Sequence, residues 1–225
     1  MTVAQKLQTV AENTPRVFEA GKKAQHDAFW AGYQPLDEYG NGNYYDCSFL
    51  FAGYGWTDEN FNPSIIPERI NRAYMMFAKN HITDLRMLPP LSVYSSQYMF
   101  YQNKITRHVG QIVSTSPTDS LYGVFAESMV ETVEKLTVSQ TNKFRDTFIK
   151  ATELREIRFG GTIGSAISFA DCAKLSQASV QDVIDHLADL TGSTAQTLTL
   201  HATIGESLTE AQKDAITAKN WTLVY

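Results

Sequence analysis

The side chains able to do chemistry in this sequence are dispersed. Five histidines, His26, His81, His108, His186 and His201, are the natural candidates for zinc ligands or a general base. None stands in the HxxxH or HExxH spacing that sets two imidazoles on one helix face. Cys47 and Cys172 lie in different segments with no CxxC pair, so they read as small buried residues. Asp58 and Glu59 adjoin Trp56, a combination found in glycoside hydrolases, yet that reaction needs two carboxyls facing across a cleft, which adjacency does not supply. Gly160-Gly161-Thr162-Ile163-Gly164 is the single glycine cluster; no Lys-Ser or Lys-Thr follows it, and it reads as a turn. There is no G-x-S-x-G elbow. The expectation is a protein with no catalytic residues, no metal and no cofactor.

Charge narrows the partners. Nineteen basic and twenty-four acidic residues give a net charge of −5, with no run of Lys or Arg to follow a phosphate backbone, so nucleic acid is not expected. The first fifteen residues hold no continuous apolar stretch of a secretory signal, and no segment approaches the roughly 18 apolar residues of a membrane span. With 225 residues, 43% of them hydrophobic, the chain can bury one substantial core.

What must organise that core is a recurring phenylalanine. Phe77, Phe100, Phe125, Phe148 and Phe169 are separated by 23, 25, 23 and 21 residues, a repeat period. Each is followed at the fifth or sixth position by an aliphatic residue: Ile82, Ile105, Val130, Leu154 and Leu175. In the second unit His108 reads as pushing the next aliphatic to Val109. A short helical turn would point each Phe inward, and the segment after it would form a short strand with aliphatics inside and polar residues outside. A unit of this size cannot bury its own apolar face, so its neighbours must. The outward positions then fall into columns: Thr83, Thr106, Glu131 and Arg155; Asp84, Arg107, Thr132 and Glu156; Arg86, Glu134 and Arg158. These columns are either a ligand-binding face or a solvated, charge-mixed surface.

Four segments follow. Residues 1–33 place Val3, Leu7, Val10, Thr14, Val17, Gly21, Ala24, Ala28 and Ala31 in steps of four and three, the seam of a coiled coil or the inner stripe of an amphipathic helix folded onto its own domain. Asn13-Thr14-Pro15 is a helix-start signal that would kink or restart this seam. Residues 34–70 are rich in Gly and Pro with interleaved aromatics; these cap the apolar end of the array, or bind a partner through whichever of Tyr44, Tyr45, Tyr54 and Trp56 is exposed. Residues 71–175 carry the repeats. Residues 176–225 read as a C-terminal cap: a helix starting at Ser179 and stopped by Gly192, an edge strand over Thr197 to His201, a helix opened by Thr209-Glu210 and ending near Lys219-Asn220, and a strand from Trp221 to Val224.

Two stretches, Phe148-Ile149-Lys150-Ala151-Thr152-Glu153-Leu154-Arg155-Glu156-Ile157-Arg158-Phe159 and Phe169-Ala170-Asp171-Cys172-Ala173-Lys174-Leu175, resemble the leucine-rich repeats of the BspA-like type, outlined A-F-x-x-C-x-x-L-x-x-I-x-[LF]. About half the chain follows this pattern. The resemblance implies an α/β fold, a short leucine-rich-repeat-like solenoid with a C-terminal helix/strand cap, preceded by the N-terminal helix. Ala28-Phe29-Trp30, Gly55-Trp56-Thr57-Asp58-Glu59 and the ending from Leu208 to Leu223 are similar to prophage-encoded virion or tail-associated proteins of gut Firmicutes. That resemblance implies a non-enzymatic phage structural protein in the virion, made in the host cytoplasm, acting in assembly or host attachment. Residues Val3, Leu7, Val10, Val17, Gly21, Ala24 and Ala28 would assemble protomers, with a trimer favoured, and join other virion proteins. Asp84, Arg86, Arg107, Thr132, Glu134, Glu156, Arg158, Tyr54 and Trp56 would face a host-surface protein or glycan. The alternative is a bacterial cell-surface adhesin or a protein- or glycan-binding module.

Overall fold

The computed structural model describes residues 45–53, 55–66, 69–116 and 121–225. Among these, ten strands are formed: β1 (Tyr45–Asp46), β2 (Arg69–Arg72), β3 (Asp84–Leu85), β4 (Leu91–Ser95), β5 (His108–Ser114), β6 (Thr132–Val138), β7 (Glu156–Gly161), β8 (Ile167–Phe169), β9 (Gln196–Leu200) and β10 (Trp221–Val224). Three α-helices, α1 (Gln177–His186), α2 (Ala202–Glu206) and α3 (Glu210–Ala218), all follow β8, and a short 3-10 helix spans Pro63–Ile65. The fold is mixed α/β with parallel strand pairing throughout and no closed barrel. One sheet runs β1-β2-β4-β5-β6-β7, with β3 also on β5; a second runs β10-β9-β8.

The register explains the sequence period. Leu85, Val109, Val133 and Ile157 are direct partners, each 24 residues after the last, and all are buried. Ile82, Thr106, Val130 and Leu154 keep the same spacing and are also buried. Thr106, where Ile105 was expected, therefore fills the second unit's inward position, and Val109 is in phase without any displacement. The buried hydroxyl is accommodated because Thr106 Oγ1 donates to the Ile82 carbonyl (2.6 Å) while Asn103 Nδ2 donates to Thr106 Oγ1 (2.8 Å).

Inside, the five phenylalanines form a continuous stack with near-parallel rings. Phe77–Phe100, Phe100–Phe125 and Phe125–Phe148 have centroid separations of 5.3, 5.3 and 5.7 Å and interplanar angles of 6–8°. Phe148–Phe169 closes the stack at 4.6 Å. A sixth ring, Phe51, extends it at the other end, 5.4 Å from Phe77, with Trp56 and Phe61 packed edge-on against it. The repetition thus begins before residue 71. Its first unit departs from the sequence pattern, because Phe51 is followed at the fifth position by Trp56 instead of an aliphatic residue. Three residues after successive phenylalanines stand Asn80, Asn103, Ser128, Ala151 and Cys172, all buried. The two asparagines close their turns, Asn80 Oδ1 accepting from Ile82 N (3.0 Å) and Asn103 Oδ1 from Thr106 N (2.9 Å). Burial pushes the Cys172 thiol up to about 12.

The segments holding Phe51, Phe77, Phe100, Phe125 and Phe148 form a ladder of turns, which replaces the expected helical turn, whereas Phe169 ends strand β8. Residues two before and two after the Phe have left-handed backbone: Phe49 and Gly53, Met75 and Lys79, Tyr98 and Gln102, Gly123 and Glu127, Asp146 and Lys150. The accounting of amides shows why. In the Phe51 unit, Phe49 N, Phe51 N and Gly53 N donate to carbonyls of the following unit at 2.9 Å, while Leu50 N and Ala52 N close turns three residues back. Phe100 and Phe125 repeat the pattern, donating to Val124 O (2.8 Å) and Thr147 O (2.9 Å). In these three units every amide from two residues before to two after the Phe is bonded within the chain, which a helical turn standing alone could not achieve.

At the far end, α1 takes the place of another strand. Its N-cap is Ser176, three residues earlier than expected, which leaves Ser179 and Asp182 on the first turns facing β7. Ser179 Oγ accepts from Ile157 N (3.0 Å) and Asp182 Oδ2 from Phe159 N (2.7 Å), so side chains satisfy the edge of the sheet. β9 lies between β8 and β10, and so is central where an edge strand was expected; β10 holds that edge. The Thr209 cap is as read, with Gln212 completing a capping box.

Candidate functional site

The outer face of β3, β5, β6 and β7 carries the residues singled out from the sequence. Its true row is Asp84, His108, Thr132 and Glu156. Arg107 does not belong there; it aligns with Thr83, Glu131 and Arg155, since Arg107 N donates to Thr83 O (2.9 Å), Glu131 N to Arg107 O (2.7 Å) and Arg155 N to Glu131 O (2.8 Å). The one-residue error came from giving the inward position to Ile105. Arg86 and Glu134 flank Gly110, where a Cβ would meet Leu85 O at 3.2 Å. The loop after Arg86, with Met87 68% exposed at its tip, crosses closely there.

Most of this face is occupied with itself. Arg86 grips Asp84, Nε lying 3.0 Å from each carboxylate oxygen and Nη2 2.5 Å from Oδ2, which holds the Asp84 carboxyl below its usual range. Arg107 and Arg155 each stand 3.8 Å from Glu131, and Arg155 and Lys174 share Glu153 at 4.0 and 2.6 Å. Hydrogen bonding to Lys174 keeps Glu153 low. Arg158 reaches α1, 3.7 Å from Asp182 and donating to Ala178 O at 3.0 Å. His108 Nδ1 is 2.9 Å from Thr132 Oγ1. Exposed pairs of this kind contribute little to stability, about 0–1 kcal/mol each. Asp58 accepts from both the amide (2.8 Å) and hydroxyl (2.7 Å) of Thr83, capping the edge of β3.

Trp56 is 3% exposed against Phe51 and is core; its proposed contact role is corrected, because the first unit needs a ring in the position other units give to an aliphatic. Tyr54, Tyr44 and the N-terminal seam residues Val3, Leu7, Val10, Val17, Gly21, Ala24 and Ala28 lie outside the described residues.

A second face, formed by the turn ladder, was not singled out from the sequence. Phe49, Tyr74, Tyr98 and Tyr122 present one half-exposed ring per unit, with centroids 5.4, 6.0 and 4.8 Å apart, and Tyr101 sits 5.3 Å from Tyr98. The guanidinium of Arg145 caps the row 4.9 Å above the Tyr122 ring, a cation–π contact. Tyr98 lies over Gly123, whose Cβ, if present, would be 2.6 Å from the ring; φ of +60° there also favours glycine. A hydrogen bond with Tyr122, then burial, pushes the Tyr98 hydroxyl up to about 12. Beside the rings runs a polar row, in which Gln102 Nε2 donates to Glu127 Oε2 (3.1 Å) and Lys150 Nζ stands 3.3 Å from Glu127 Oε1. Lys104 Nζ donates to the Glu127 carbonyl. The signal was available: a tyrosine precedes Phe77, Phe100 and Phe125 by two or three residues.

Among the described residues, no group of three or more His, Cys, Asp or Glu is placed to hold a metal ion, and no helix is long and apolar enough to cross a membrane. Comparison with family models, with curated proteins and with solved structures gives no match.

Proposed function

We propose that the chain is a short leucine-rich-repeat-like solenoid of the BspA-like type that works as a non-catalytic recognition module. The observation that carries this reading is the in-register repetition. A 24-residue strand period over a stacked Phe column makes each unit a copy of one platform, so outward residues stand in rows one unit apart. Such rows are how repeat proteins engage extended partners. The setting proposed is a phage particle, as a tail/fibre-type or other virion-surface component. The segment 1–33 assembles protomers, a trimer being favoured, and joins other virion proteins, while the repeat surface meets a host-surface protein or glycan. Nucleic acid, membrane insertion and cofactors have no part in this reading. The resemblance of the segments around Trp56 and after Leu208 supports the setting. The second reading, a bacterial surface adhesin, rests on the same rows.

Two measurements test it. Peptides of this chain should be found in purified particles, and their absence would refute the virion setting. Light scattering should give a trimer for the full chain and a monomer for a version lacking residues 1–33; monomers in both would refute the assembly role.

A further inference from the structure

We propose that the aromatic row of the turn ladder is a carbohydrate-binding face, and that its occupant is an extended, uncharged glycan chain lying along the stacking direction. This rests on the recognition-module reading and names the ligand and the surface.

Three observations point to that ligand. The first is the form of the face. Phe49, Tyr74, Tyr98 and Tyr122 follow one another at one ring per unit, Tyr101 adding a second ring beside Tyr98; neighbours meet edge-on (77° and 85°) or tilted (57°), so the row offers a long ligand a series of separate apolar facets. The C–H face of a pyranose ring is a matching apolar surface, and its hydroxyls lie at the rim. The second is what flanks the rings. The amide of Gln102 and carboxylate of Glu127 run beside the row, joined at 3.1 Å. Planar donors and acceptors beside an apolar face match a sugar's hydroxyl rim, whereas a purely aliphatic partner would desolvate them and offer no further hydrogen bond.

The third is charge. Aromatic rows also stack nucleic-acid bases, but that ligand needs a surplus of cations along the strand. Here Arg145 stands 3.8 Å from Asp146 and Lys150 stands 3.3 Å from Glu127, while Lys104 donates to the Glu127 carbonyl, so the face mixes both signs and forms no continuous cationic strip. A polyanion gains little from such a surface, and an uncharged chain loses nothing. The rings are also fixed before any ligand arrives. Tyr98 is held over Gly123, Arg145 covers the end of the row, and the backbone beneath is hydrogen-bonded from unit to unit. Binding then costs little ordering of side chains.

The test is affinity electrophoresis of the full chain in native gels containing dextran, laminarin, yeast mannan or a purified bacterial cell-wall polysaccharide, with heparin as the polyanion. At least one uncharged polysaccharide should retard the protein, and 0.5 M NaCl should leave the retardation unchanged. Tyr74→Ala, Tyr101→Ala and Tyr122→Ala should each weaken binding by about three- to tenfold, the contribution expected of one aromatic contact. Tyr98→Phe, which keeps the ring, should change it by less than about twofold, and circular dichroism of each variant separates lost binding from lost fold. Retardation by none of the uncharged polysaccharides overturns the proposal, as does retardation by heparin alone that salt abolishes. Binding that survives the ring substitutions but falls on Glu134→Ala or Glu156→Ala places recognition on the strand face; it overturns this site and leaves the recognition-module reading standing. Absence of the chain from particles would remove the virion setting without touching the glycan result.

Discussion

Replacing Phe125 by alanine is the most direct probe of the stacked core. Phe125 is fully buried, with Phe100 5.3 Å away on one side and Phe148 5.7 Å on the other. The neighbours cannot close the gap, because Phe100 N is hydrogen-bonded to Val124 O and Phe125 N to Thr147 O, fixing the spacing of the units through the backbone. The cavity therefore persists, and the cost is not below the middle of the range for buried Phe→Ala, about 4 kcal/mol. For a domain of this size that corresponds to a fall in Tm of about 8–16 °C. Urea unfolding followed by circular dichroism and by tryptophan fluorescence measures it, with Tyr94→Ala, a 46% exposed ring, as a control expected within about 0.5 kcal/mol of wild type. A double-mutant cycle adds the geometry: Phe100 and Phe125 should couple by about 0.5–1.5 kcal/mol, while Phe77 and Phe125, two rungs apart, should be additive. A loss under about 1.5 kcal/mol, or equal coupling for both pairs, would refute the stack as the main support of the fold.

Three further outcomes follow from local geometry. Gly161 and Gly192 share a left-handed φ, but a Cβ at Gly161 would come within 2.0 Å of the Val138 carbonyl while nothing lies within 4 Å of one at Gly192. Gly192→Ala should then cost about 1 kcal/mol and Gly161→Ala at least twice that, read from urea midpoints. Thr209→Ala removes one half of the capping box and should destabilise the C-terminal helix by about 1 kcal/mol, seen as faster amide exchange in α3. The carboxyls of Asp84, Glu127 and Glu153 are held low by Arg86, Gln102 and Lys174 respectively. Below the unfolded values the unfolded chain binds more protons than the folded one, so the stability they contribute is present at neutral pH and is lost as pH falls through their folded values. Denaturation midpoints should fall on acidification, and less so in Lys174→Met.

What was legible beforehand depended on whether a requirement showed in residue type. The Phe column, the aliphatics at Leu85, Val109, Val133 and Ile157, and the Thr209 cap each need a particular kind of side chain, and each stood in the sequence. Thr106 was missed because a polar residue took an inward position that only a hydrogen bond from Asn103 and to the Ile82 carbonyl makes tolerable. That single substitution shifted Arg107 by one place in the outer columns. The left-handed turns were invisible for a different reason. Met75, Lys79, Gln102, Glu127 and Lys150 carry no glycine-like signature; Met75, Gln102 and Glu127 are held by amides donating to carbonyls of the next unit, and Lys150 by its amide donating to Asp171 Oδ2. Such bonds are tertiary and leave no local trace. The central place of β9 likewise depends on pairing with β8 and β10, two segments distant in sequence.

Those left-handed residues bear on why the turn ladder carries side chains at all. A non-glycine residue pays roughly 1–2 kcal/mol in this region of backbone space. Gly53 and Gly123 occupy equivalent positions, so the ladder accommodates glycine without trouble. Tyr98, Gln102, Glu127 and Lys150 therefore cost the scaffold something and must be justified by contacts or by a ligand. Lys150 separates these. Its side chain is 66% exposed and its amine forms an ion pair with Glu127, a contact contributing no more than about 1 kcal/mol. Lys150→Gly should accordingly leave stability unchanged or raise it by up to about 1 kcal/mol, as judged by urea midpoint at constant m. A loss greater than about 1 kcal/mol would make the Lys150 side chain part of the scaffold. If stability rises, the strained position is retained at the expense of folding, and its side chain belongs with the surface that the units repeat toward solvent.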